Sequence, residues 1–109
     1  MSNPIEPGKI FLAAHSVDYA DGSVVSKMIV KKPTGNITLF AFDQGEGLAE
    51  HSSPHEALVQ LLDGTAEIII GGTPHTVRNG ESIILPANIP HSLKANERFK
   101  MMLTMIKTS

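Results

Sequence analysis

The chain has no cysteine among its 109 residues. That excludes a disulfide framework, a thiolate nucleophile and a thiolate metal ligand, so any metal must be held by His, Asp or Glu. Basic residues are few: Lys and Arg total 9 against 11 acidic residues, and they are scattered. A phosphate backbone calls for a basic face that is missing here, and nucleic acid is not an expected partner. No apolar run approaches the roughly 20 residues that span a bilayer. The opening "MSNPIEPGK" has neither the basic nor the apolar region of a secretory leader. A cytoplasmic protein without a membrane span is expected. The glycines form no phosphate-cradling loop, and Ser52 and Ser53 lie outside any nucleophile-elbow context.

The length suits one domain with one core. Turn signals mark its second half at a step of eight residues: Asp63-Gly64, Gly71-Gly72, Asn79-Gly80, Ala87-Asn88 and Ala95-Asn96. Pairs such as Asp-Gly and Asn-Gly accept the positive φ that two-residue hairpins require. Between them stand "TAEIII", "TPHTVR" and "ESIILP", β-branched stretches of strand length. A helix is disfavoured, because glycine or asparagine interrupts any apolar stripe of period 3.6. Upstream, "SVVSKMIVKK" and "GNITLFAFDQG" read as two strands around a turn at Pro33 and Gly35. The expected fold is all-β: an antiparallel sandwich or barrel over residues 21–109, preceded by residues 1–20 as an N-terminal arm or edge strand. Within that arm "IFLAA" reads as an edge strand or a short helical turn.

Two segments are apolar on both faces. In "ALVQLLDG", Ala57, Val59 and Leu61 alternate with Leu58 and Leu62; "FKMMLTMIK" behaves likewise. Strands of that kind are buried on both sides. Since one core of this size offers too little cover, a homodimer is expected, with a second copy over the outer face.

"GESIILPANIPHSL" ends a strand in two prolines and then places His91. Proline fixes φ and cannot donate to a ladder, so Pro86 and Pro90 bracket a stiff turn. Gly80, Pro86 and His91 stand at the spacing glycine, five residues, proline, four residues, histidine; Ala95 follows where asparagine is usual, and Asn96 comes one residue late. Gly45, His51 and Gly64 match an earlier glycine, histidine and glycine pattern, with Ser53 in place of a second histidine and Ala57 in place of a glutamate. In these two motifs, at about 45–64 and 80–95, the chain resembles the cupin superfamily of small conserved barrels. The resemblance implies a double-stranded β-helix, or jelly roll, with His51 and His91 facing a site at the barrel mouth.

It also implies a metal site of three histidines and one carboxylate around iron, manganese, nickel or zinc. His51, His55 and His91 are then the candidate ligands, with Glu56 a weaker one. Residues four apart on a straight strand lie about 13 Å apart, so His51 and His55 reach one ion only if "SSP" turns the chain back. By strand parity His55 shares the inward face of Ala57, while Glu56 points out. His15 and His75 lie outside both motifs and read as surface residues. Tyr19, the one tyrosine, also lies outside them, which leaves tyrosine-assisted sugar chemistry without support. Two functions stay open: a metal-dependent enzyme acting on a small substrate, or a module that binds a small ligand without turning it over.

Overall fold

A computed structural model describes residues 4–107. After an N-terminal arm whose regular structure is a single 3-10 turn at Ala13–His15, eight strands follow. They are β1 (Val24–Lys32), β2 (Gly35–Phe42), β3 (Gly47–His51), β4 (Glu56–Ile70), β5 (Thr73–Arg78), β6 (Ser82–Leu85), β7 (His91–Lys94) and β8 (Phe99–Ile106). All pairings are antiparallel. The order β1-β2-β8-β4-β7-β3 carries β5 and β6 as further partners of β4. This is the expected all-β jelly-roll barrel. Of the two readings of "IFLAA", the helical turn is the one formed, at its final Ala13 and Ala14.

Strand β4 joins the two sheets. Its first half pairs with β6 and β8, its second half with β5 and β7. At the junction the expected Asp63-Gly64 hairpin does not form. Those residues lie inside one 15-residue strand, at a register shift against β8 between Leu61 and Asp63. Leu62 is the extra residue, and Gly64, at φ +72°, lets the strand bend. A dipeptide that tolerates positive φ suits a bulge as well as a turn, and only the partner strands decide which. The bulge also changes parity. Ala57, Val59 and Leu61 face inward before it, Ala66, Ile68 and Ile70 after it.

The interior is filled by those residues with Leu85, Leu93, Phe99 and Met101. The Phe42 and Phe99 rings stack at 4.4 Å between centroids and 13° between planes. Leu39 and Ala41, of opposite parity on β2, form a second cluster on the outer face with Val17, and Ile5, Ala13, Tyr19, Leu62 and Met102 pack against it. The apolar outer positions of β4 and β8 are therefore covered in part by the chain's own arm. Tyr19 is the fastening point. Its hydroxyl donates to Asp63 Oδ2 at 2.7 Å, and its ring lies under the Arg98 guanidinium, 5.1 Å from the centroid, and the Lys100 ammonium, 4.9 Å away. Burial raises the phenol's pKa, and the Asp63 carboxylate adds to the shift. Lys100 Nζ also donates to Ala14 O at 2.7 Å, and Arg98 bonds Asp43 at 2.8 Å and Asp21 at 3.2 Å.

Two substitutions separate bulge from turn. A Cβ on Gly64 would stand 2.1 Å from Arg98 O, against nothing within 4 Å at Gly80, although both have positive φ. Gly64→Ala is expected to lose about 3 kcal/mol or more in urea unfolding, and Gly80→Ala about 1 kcal/mol; equal losses would contradict the close approach at Gly64. Removing the fastening ring by Tyr19→Ala should leave the barrel's circular dichroism unchanged while protease cleavage within residues 4–23 accelerates several-fold. Unchanged cleavage would show that Tyr19 does not hold the arm.

Candidate functional site at the barrel mouth

His51 ends β3 and His91 begins β7, and the register sets them directly opposite each other. A second bulge makes that possible. Leu48 pairs with Leu93 and His51 with His91, so three steps along β3 match two along β7. Ala49 and Glu50 together oppose Ser92. Without the extra residue His51 would point away from the face that Leu48 and Leu93 share; with it, both histidines stand on that face. Gly47 lets β3 come this close, since a Cβ there would lie 2.3 Å from Leu93 O.

The turn that delivers His91 is tied down as its prolines suggest. Asn88 takes φ 65°, the one positive φ of a non-glycine among the described residues. Its N–H donates to Ser53 O at 2.7 Å, and Gly71 N–H donates to Pro90 O at 2.8 Å. Ser53 also accepts a hydrogen bond from His55 N–H on its Oγ, at 3.1 Å. The residue standing where the motif has a second histidine thus fastens the loop under the site.

The two imidazoles meet edge to face, with centroids 4.4 Å apart and planes at 68°. His51 Nδ1 lies 2.8 Å from Ala49 O and His91 Nδ1 3.3 Å from Ile89 O. Because a carbonyl only accepts, each Nδ1 carries the proton. In the neutral ring Nε2 is then the free lone pair. His91 is 7 % exposed. Burial lowers its pKa, the neighbouring His51 lowers it further, and the Ile89 carbonyl opposes both. His51 is exposed and forms the rim.

The other candidates do not complete a cluster. Glu56 is exposed and pairs across the sheet with the exposed Ile106, so it faces outward as its parity predicts. His55 follows Pro54 in the bend between β3 and β4 and is half-buried. Among the described residues no three His, Asp or Glu side chains gather closely enough to hold a metal ion. The expected three-histidine set is therefore reduced to two residues brought together, His51 and His91. The pair itself suits a shared ion. Two imidazoles bound side by side on one divalent cation bring their ring centres to about 4.6 Å, from a metal–nitrogen bond near 2.1 Å and a right angle at the metal.

Two inward residues carried no signal in the motifs. Thr38 shares the parity of Phe40 and Phe42 and is 7 % exposed, and with His91 it makes up the buried polar side chains among the described residues. His75 pairs with the fully buried Ile68, which puts it on the inner face, half-buried rather than on the surface. Period-two counting from Val77 would have found it. His15 is exposed, as expected. The described grooves lie elsewhere, beneath the arm, along β1 and on the outer face of the second sheet; none is lined by His51 or His91.

A small antiparallel barrel of two sheets, with paired histidines at one end, defines the class. A profile of the cupin domain matches residues 38–107, well over half of the chain. The chain belongs to the cupin domain family. It is similar to a conserved protein of unknown function from Streptococcus pyogenes, at 36 % identity and a TM-score of 0.92, covering 99 % of this chain and 95 % of that one. A cupin 2 conserved barrel domain protein from Leptotrichia buccalis is 45 % identical, with a TM-score of 0.84 over 86 % of this chain; the match spans only 46 % of that protein. Salicylate 1,2-dioxygenase from Pseudoaminobacter salicylatoxidans, at 15 % identity and a TM-score of 0.72 over 85 % of this chain and 27 % of that one, shares the fold. No curated protein matches. No helix among the described residues is long and apolar enough to cross a membrane.

The buried imidazole gives the barrel a pH dependence. His91 has its folded pKa depressed below the ordinary 6.5. The unfolded chain therefore binds the proton more tightly. Its contribution to stability is fully present above about pH 6.5 and is lost as the pH falls through the folded value. The melting temperature should drop between pH 7.5 and pH 5, and His91→Gln should flatten that segment of the curve. An unaltered slope in the variant would assign the effect to other groups.

Proposed function

We propose that the protein is a binding module whose barrel mouth takes a small organic molecule, with the neutral Nε2 atoms of His51 and His91 as its polar anchors. The observation that carries this reading is the pairing of two Nδ1-tethered imidazoles, joined by no third His, Asp or Glu among the described residues. Beside them stand Ile70, the cross-strand partner of His91, and the partly exposed Ile89. Apolar walls with few polar anchors are the usual make-up of small-molecule sites.

A second reading has one observation in its favour, the 4.4 Å ring spacing. It is compatible with both histidines bound to one iron, manganese, nickel or zinc ion. His55 would then be the third ligand, and Glu56 a weaker alternative, if the bend between β3 and β4 brought either one in. Such an ion would supply Lewis-acid chemistry. The histidines would hold it through Nε2, with Ala49 O and Ile89 O fixing their tautomers.

The partner expected on sequence grounds, a second copy, belongs to the proposal as well. Val30 on edge strand β1 and Ile106 on β8 remain exposed on the outer face beyond the arm's cover. A dimeric mass in light scattering at micromolar concentration is expected; a monomer would remove this element of the proposal.

Metal content separates the two readings of the site. Protein purified without a histidine tag and incubated with each of the four metals is expected to hold well below one equivalent by plasma mass spectrometry. Near one equivalent, lost in both His51→Ala and His91→Ala, would overturn the binding module in favour of the metal centre. For the binding module, a ligand found by thermal-shift screening should raise the melting temperature of the parent and not of His91→Ala.

A further inference from the structure

Resting on the organic-ligand reading of the mouth, we infer that the site selects uncharged molecules bearing two adjacent hydrogen-bond donors, the vicinal diol class, over carboxylates of the same size. The reason is the direction in which the two rings are wired. Ala49 O and Ile89 O each take the proton of an Nδ1, at 2.8 and 3.3 Å. What remains on each ring is the Nε2 acceptor, on rings whose centroids are 4.4 Å apart. One small molecule spans that distance. A carboxylate brings only acceptors of its own, and would have to protonate a ring or leave both lone pairs facing its oxygens.

The surroundings offer an anion little else. Positions on the inner face, read from register, are held mostly by uncharged residues, among them Asn36 and Thr38 on β2, Leu103 and Met105 on β8, and Ile70 and Leu85 on β4 and β6. Lys31, the exposed cross-strand partner of Asn36 on edge strand β1, is the one Lys or Arg that the ladders place on that face. Arg98 and Lys100 are engaged on the far side with Tyr19 and the arm. The second strand carrying the site is as sparing: Leu48 on β3 and Leu93 on β7 flank the histidines. Burying an unpaired carboxylate beside such walls is costly, whereas two hydroxyls lose little when both protons find acceptors.

Two neutral hydrogen bonds of ordinary strength correspond to about tenfold in affinity. The test uses the full chain, freed of metal by chelation, at pH 8. Long-range proton–nitrogen NMR of the histidine side chains reads the tautomers, and the same spectra follow titrations with cis-cyclohexane-1,2-diol and cyclohexanecarboxylate. Expected are Nδ1–H tautomers for His51 and His91, and shifts at both Nε2 atoms with the diol at concentrations about tenfold lower than any with the carboxylate. An Nε2–H tautomer in either ring, or a carboxylate that binds as well as the diol, would overturn the inference and leave the organic-ligand reading standing. If neither probe moves either ring, the reading of the mouth as an organic-ligand site falls, and this inference with it. His91→Gln, which keeps a polar group but removes the acceptor ring, should lose the diol response while the folded-state spectrum is retained.

Discussion

The barrel depends on one strand that changes sheets. β4 is paired with β5, β6, β7 and β8, and no other strand has so many partners. The extra residue at Leu62 and the positive φ of Gly64 let it do so without turning its apolar side to water, because the bulge shifts the inward positions from odd to even numbers. Removing that one-residue offset would expose Ala66, Ile68 and Ile70 and turn their outward neighbours inward. The ladder that presents His91 hangs from the same half of the strand, where Ile70 is its partner. Core and site thus share a single constraint.

The same device recurs at the mouth with a different result. In β3 the extra residue lies between Leu48 and His51 and brings a histidine to the face that holds His91. Rigidity comes from backbone hydrogen bonds rather than from a third polar side chain: Ser53 O and Pro90 O each accept one from a turn. The chain is a cupin in fold and in the histidine at each of its two motifs, while the positions between are given to holding the loop. Two tethered imidazoles stand side by side at the mouth, and it is on the reading proposed above that they act as acceptors.

Much of the architecture was legible in the residues. The eight-residue step of Gly and Asn turns predicted hairpins, and Gly71-Gly72 forms one, joining Ile70 to Thr73. The prolines around Ala87-Asn88 predicted a stiff turn before His91, and Asn88 takes the left-handed conformation there. Asp63-Gly64 misled because its local preference, freedom of φ, serves a bulge as well as a turn. The two-faced pattern of β4 and β8 was read as a contact with another copy. Part of it is the contact with Val17, Ala13 and Tyr19 of the same chain, which no short-range pattern in residues 4–23 announced. Tyr19 and Asp63 are 44 residues apart, and their hydrogen bond is invisible to any periodicity.

The sequence by itself determined the fold class, the family and the two motif histidines that the structure brings together. Those rest on local chemistry: β-branched runs, turn glycines, and a proline and a histidine at fixed spacing. Tertiary structure alone decided which histidines meet. Position along a strand fixes a side chain's face only until a bulge intervenes, and bulges depend on the partner strand. His51 reaches His91 through a bulge in β3, whereas His55 and Glu56, on the far side of the bend, join no group of three among the described residues.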